Sequence, residues 1–156
     1  MRSIKILLVE DNEADAQYLQ DVLSRMGVSY SITVLGDGES AVKFLLKRGE
    51  YAQAPNPDLI FLDLKLPKLS GVEVLEALPA SRQFPLCILT GSSLERTELK
   101  KKFGIRRIAY VVKPVSREMI LNCFRCYRHL APLAEKIAVG NVGRGTPAET
   151  LGAGSL

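Results

Sequence analysis

The 156 residues suit one domain and leave little length for a second. An apolar share of 47% supports a full core without disulfide or metal staples. No apolar run reaches the roughly 18 residues of a membrane span, and the net charge of +4 permits an acidic partner without demanding nucleic acid.

Met1-Arg2-Ser3 leads straight toward a strand, without a signal-peptide layout. The first strand is Ile4-Lys5-Ile6-Leu7-Leu8-Val9, and it stops at Glu10-Asp11. Asn12 to Met26 carries Leu19, Val22, Leu23 and Met26 at helical spacing, with Gly27 as a stop. Ser31 to Leu35 reads as a short strand, and Glu39 to Arg48 as a second helix after the turn Gly36-Asp37-Gly38. Ala54-Pro55-Asn56-Pro57 breaks the chain before a third strand, Leu59 to Leu62, which ends at Asp63. A loop through Gly71 precedes a short helix, Val72 to Leu78. Leu86 to Leu89 is a fourth strand ending at Thr90, and Leu94 to Phe103 is a fourth helix. Ala109 to Val112 is a fifth strand ending at Lys113-Pro114, and Ser116 caps a fifth helix with Ile120, Cys123, Phe124 and Tyr127 on one face.

Five strand–helix units in alternation argue for a parallel sheet with helices on both faces. Near-continuous Val, Ile and Leu in the first, third and fourth strands fits burial on both sides. The folded domain is expected over residues 1–133 and a flexible tail over 134–156, where glycines accumulate from Gly140 onward. Cys87, Cys123 and Cys126 are odd in number and fall on regular elements, which favours reduced thiols and a cytoplasmic location.

Four strands therefore end abruptly at polar groups. In an open parallel sheet the carboxyl ends of the strands border one crevice, where ligands bind. Acids from two strands, the Thr90 hydroxyl and the Lys113 amine would converge there. Such a cluster suits a divalent metal and a phosphoryl group.

The chain resembles a response-regulator receiver domain over roughly residues 4–130. The resemblance rests on Glu10-Asp11, on the block Pro57-Asp58-Leu59-Ile60-Phe61-Leu62-Asp63-Leu64-Lys65-Leu66-Pro67 closed by Gly71, on Thr90, and on Lys113-Pro114. It implies a flavodoxin-like α/β fold, a three-layer (βα)5 sandwich with strand order 2-1-3-4-5. It further implies that Asp63 accepts a phosphoryl group from a histidine kinase. Mg2+ would sit on Glu10, Asp11, Asp63 and the Lys65 carbonyl. Thr90 and Lys113 would contact the phosphoryl group, Tyr110 would turn inward as Thr90 moves, and the bond before Pro114 would be cis. Gly91, after Thr90, would leave the crevice open. The stretches Val9 to Ala16 and Arg48-Gly49-Glu50-Tyr51 resemble stand-alone regulators paired with bacterial phytochromes. Relatives of that kind imply a homodimer through the fourth helix, fifth strand and fifth helix, and apolar Tyr127, Leu130, Pro132, Leu133 and Ile137 to Val139 point the same way.

Blander roles stand beside these. Asp63 also reads as a turn former, Glu10-Asp11 and Thr90 as helix caps, and Tyr110 as a static core ring. Cys123-x-x-Cys126 lies within a helix and reads as structural, and His129 as a helix-end residue. Arg96, Lys100, Lys101, Lys102, Arg106 and Arg107 form a basic run, usually a solvated face.

The reading is a single-domain response regulator of a two-component phosphorelay. It is a phosphoacceptor switch and no turnover enzyme, with no nucleic-acid or membrane partner. The alternative is a receiver module of a transcriptional or other output regulator acting through a partner protein. A DNA reader would need a further helix-turn-helix or winged module, and the glycine-rich end offers none. A flavin or nucleotide binder would need a phosphate loop after the first strand, where Glu10-Asp11-Asn12-Glu13 is acidic.

Overall fold

The computed structural model describes residues 2–104 and 108–140. Five strands form one parallel sheet in the order β2-β1-β3-β4-β5. They are β1 (Ile4–Val9), β2 (Tyr30–Leu35), β3 (Leu59–Asp63), β4 (Leu86–Thr90) and β5 (Ile108–Val112). The central strands β3 and β4 are buried at every residue, as their unbroken apolar runs require.

Each strand is followed by a helix with its own polar start signal. Asn12 caps α1 (Glu13–Arg25), Asp37 caps α2 (Gly38–Leu45), and Ser70 caps α3 (Gly71–Ala77) in a reciprocal pair with Glu73. Ser92 caps α4 (Ser93–Phe103), and Ser116 caps α5 (Arg117–Arg125). Every one of these side chains accepts a hydrogen bond from the backbone N–H three residues on. Strand ends and helix starts thereby meet at one edge of the sheet.

The pleat divides the core in two. Ile6, Leu8, Leu59, Phe61, Cys87 and Leu89 face the side covered by α1 and α5. Leu7, Val9, Ile60, Leu62 and Ile88 face α2, α3 and α4. The three-layer sandwich and its strand order match the sequence expectation.

The expected boundary at residue 133 does not hold. Ala131–Gly140 forms a further helix, α6, folded back on α5. Leu130, Ala134 and Ile137 are buried in the same core cluster as Phe124 and Tyr127. Arg125 pairs with Glu135 at 3.1 Å, and the Arg117 guanidinium donates to the Ile137 carbonyl at 3.3 Å. The apolar residues that argued for a self-association surface are thus largely consumed inside the chain, with Val139 left exposed. The glycine-rich stretch from 141 on, Arg106 and Arg107 of the basic run, and the core of the loop before β5 lie outside the described residues.

The remaining singled-out residues take structural places. Cys123 is buried in α5 with its sulfur 2.7 Å from that of Cys87, while Cys126 faces outward. His129 Nε2 lies 2.8 Å from the Asp58 carbonyl, before β3 and away from the strand ends that carry the acids. Tyr51, in the 3-10 turn Gly49–Tyr51, packs its ring against Phe44 at 5.6 Å.

Candidate functional site

Glu10 follows β1, Asp63 ends β3, Thr90 ends β4 and Lys113 follows β5. Because all four strands run in parallel, these residues share one edge. Glu10, Asp63 and Thr90 are buried, at 4%, 7% and 1% exposure, which is unusual enough for carboxylates to demand partners.

Lys113 supplies most of them. Its Nζ donates to Asp63 Oδ2 at 2.6 Å, to Glu10 Oε2 at 2.8 Å and to Asp15 Oδ2 at 3.1 Å. The Lys113 N–H also donates to the Thr90 carbonyl at 2.8 Å, which ties the loop after β5 to the end of β4. The Lys113–Pro114 peptide is cis, as expected. Asp63 Oδ1 accepts from the Lys65 N–H at 3.0 Å, and Glu10 Oε1 from the Asn12 N–H at 3.2 Å. Asp63 is therefore a turn former as well, and Asn12 takes the capping role considered for Glu10-Asp11.

The two buried acids titrate apart. Burial, and then a hydrogen bond with Asp63, push the Glu10 carboxyl up from 4.5 to about 7. Burial alone would raise Asp63, but hydrogen bonds from Glu10, Lys113 and the Lys65 N–H outweigh it and hold Asp63 below the ordinary carboxylate range. Close acids sharing one proton behave this way. Burial would lower the Lys113 ammonium, but its hydrogen bonds to Asp63, Glu10 and Asp15 prevail and raise it. Near neutral pH the site thus holds an ionised Asp63 beside a permanent cation.

Glu10, Asp11 and Asp63 each present a carboxylate oxygen within 4.8 Å of the others. Three hard oxygen donors at that spacing fit a hard divalent cation. Asp11 is exposed, which leaves the approach open. Beside Thr90, Gly91 is exposed, and a Cβ there would meet nothing within 4 Å. Gly71 is demanded by the site's architecture: a Cβ on it would run into the Asp63 carbonyl and lie 2.7 Å from Leu64 Cα.

Two expected participants stand near but are otherwise engaged. The Thr90 hydroxyl donates to the Ser92 carbonyl at 2.5 Å and accepts from the Ser92 N–H at 2.9 Å, so Ser92 and not Thr90 caps α4. Tyr110 packs half-buried against the α4 side of the core, with Lys100 5.8 Å from its ring centroid. Lys65 contributes its N–H to Asp63. Asp15 is the participant that the strand-end pattern did not reveal. Its signal is spacing: it lies four residues after Asp11 at the opening of α1.

A parallel five-stranded α/β fold with clustered acids and a lysine at the carboxyl edge defines a class of phosphoryl- and metal-handling domains. Residues 6–125 match the model of the response regulator receiver domain. The chain belongs to that family, as a receiver domain of two-component signalling. It is 43% identical over 93 residues to the response regulator Rcp1 of Synechocystis sp., covering 58% of this chain and 63% of that protein. That aligned stretch spans under two thirds of the length of Rcp1. Among solved structures, the bacteriophytochrome response regulator RtBRR superposes with a TM-score of 0.71 at 30% identity, covering 89% of this chain and 95% of that one. The phosphorylated cyanobacterial phytochrome response regulator RcpA gives 0.63 at 31% identity, covering 89% and 96%. The Mn2+-bound form of Rcp1 gives 0.60 at 33% identity, covering 86% and 88%.

Proposed function

We propose that the chain is a single-domain cytoplasmic response regulator in which Asp63 accepts a phosphoryl group from the phosphohistidine of a sensor histidine kinase. The carrying observation is the pairing of Asp63 Oδ2 with Lys113 Nζ at 2.6 Å inside a three-carboxylate crevice. An Asp63 oxygen attacks phosphorus, the P–N bond to the donor imidazole breaks, and the imidazole leaves with its electron pair. Phosphoryl transfer calls for positioning and charge stabilisation more than covalent help. Lys113 offers its charge to the phosphoryl oxygens, and the Thr90 hydroxyl turns from the Ser92 carbonyl to donate to one of them. Glu10, Asp11, Asp63 and the Lys65 carbonyl would hold Mg2+, which would supply charge neutralisation there; the metal-bound and phosphorylated relatives support this reading.

Beside the crevice a groove of about 540 Å3 is walled by Ala14, Tyr18, Leu19, Leu89 and Val115, with Glu10, Asp15 and Lys113 at its polar end. It offers the donor protein an apolar seat next to Asp63. Likeness to the phytochrome response regulators RtBRR and RcpA supports a phytochrome kinase as that donor. Movement of Thr90 would free space for Tyr110 to swing inward and alter the α4–β5–α5 face, where Leu94 is exposed. That face is the proposed homodimer surface. The protein would catalyse only its own phosphorylation and dephosphorylation. Incubation with acetyl phosphate and Mg2+ should add one phosphoryl mass, absent in Asp63→Asn. Full labelling of that variant would overturn the assignment.

A further inference from the structure

We propose that Asp15 is a positioning residue that holds Lys113 toward α1, so that the ammonium must be drawn from this carboxylate to engage a phosphoryl group. The proposal rests on the receiver reading of the site and goes further by assigning its resting lock.

An ammonium has three N–H donors and no acceptor capacity. Lys113 has three acceptors, one each from Asp63, Glu10 and Asp15. The first two belong to the carboxylate trio that fits a divalent cation; Asp15 does not. When a cation takes up the charge of Glu10 and Asp63, Asp15 therefore keeps its full claim on the lysine. Its position is set by the backbone, since the Asp15 N–H donates to Asn12 Oδ1 at 3.0 Å in the first turn of α1. A carboxylate is also favoured at that end of the helix dipole. Asp15 thus opposes phosphoryl engagement in two ways that act in the same direction. It competes for the lysine donor, and it adds negative charge beside an anionic ligand.

Asp15→Asn removes the charge and leaves the backbone cap intact. With Mg2+ present, it should bind beryllofluoride about fivefold tighter than the parent, as expected for losing a half-exposed ion pair. Acetyl phosphate labelling should accelerate by a similar factor. Asp15→Glu, which keeps charge and reach, should stay near the parent. In a Lys113→Ala background the Asp15→Asn gain should vanish, because the effect travels through the lysine. Equal or weaker beryllofluoride binding by Asp15→Asn overturns the proposal, as does the same gain without Lys113. A purely structural Asp15 would instead lower thermal stability and weaken Mg2+ and beryllofluoride together, which also refutes it. A parent protein that binds neither ligand removes the receiver reading itself; a parent that binds both while Asp15→Asn matches it removes this inference alone.

Discussion

Lys113 Nζ and Asp63 Oδ2, fifty residues apart in sequence, sit 2.6 Å from each other across the ends of β5 and β3. The pair is the electrostatic keystone of the resting crevice, because Glu10 beside it would otherwise face Asp63 with no counter-charge. Removing one partner of a largely buried pair strands the other. Lys113→Ala should therefore destabilise the metal-free protein by about 1–3 kcal/mol, less than for a fully buried pair because the lysine retains some exposure. Mg2+ should recover most of that loss, since the cation replaces the missing charge. Thermal melts with and without Mg2+ check it. A variant as stable as the parent would show that the pair carries no net stabilisation.

Glu10 predicts a pH dependence. Its carboxyl is raised from 4.5 to about 7 in the fold, so the folded state holds an extra proton between those values. Stability from this group is full below pH 4.5 and is lost as pH rises through about 7. Asp63 has the opposite sign: its folded value is depressed, so its contribution is present above its ordinary 3.8 and lost as pH falls below that. A cation must displace the Glu10 proton. Mg2+ affinity should therefore climb by up to about tenfold per pH unit below 7 and level off above it. Calorimetry across pH 5.5 to 8.5 in about half-unit steps, with the proton release it implies, reads this directly. A flat profile would mean that Glu10 is already ionised in the metal-free protein.

The strand ends were legible because each buried strand is an unbroken apolar run that stops at a charge or hydroxyl. Ile4 to Val9 before Glu10 and Leu59 to Leu62 before Asp63 need no tertiary knowledge to be seen. The layer order followed from alternation and from the family resemblance. Two features were not visible. The engagement of the Thr90 hydroxyl with Ser92 is a local turn whose geometry depends on backbone angles that composition does not carry. The claim of Asp15 on Lys113 joins residues 98 apart, and only the packing of α1 beside the loop after β5 brings them together. The α6 helix was missed for a different reason. Leu130, Ala134 and Ile137 have helical spacing, but the glycines from Gly140 onward make the stretch after 133 read as a tail.

That helix gives a stability prediction. Ile137 is 8% exposed and packs into the α1–α5 side of the core. Ile137→Ala should cost about 2 kcal/mol, the low end for emptying a buried aliphatic site near the surface. Shortening the chain to residue 133 should cost more, because it also removes Ala134 and the Arg125–Glu135 pair. Urea unfolding measures both. If truncation at 133 leaves the midpoint unchanged, α6 contributes nothing to the folded domain.

Gly71 links stability to the site. It opens α3 directly over the end of β3, donating its N–H to the Leu64 carbonyl at 2.9 Å. A Cβ there would collide with the Asp63 carbonyl and Leu64 Cα, both backbone atoms that no rotamer change can move aside. Gly71→Ala should therefore cost about 1–3 kcal/mol, in the range of an overpacked core position. The strain falls on the residue proposed to take the phosphoryl group, so labelling by acetyl phosphate should slow more than the loss of folded protein explains. Measuring the rate at a temperature where the variant is fully folded separates the two effects. Parent-like stability together with parent-like labelling would show that α3 can slide along the strand end, and that the close approach at Gly71 does not fix the position of Asp63.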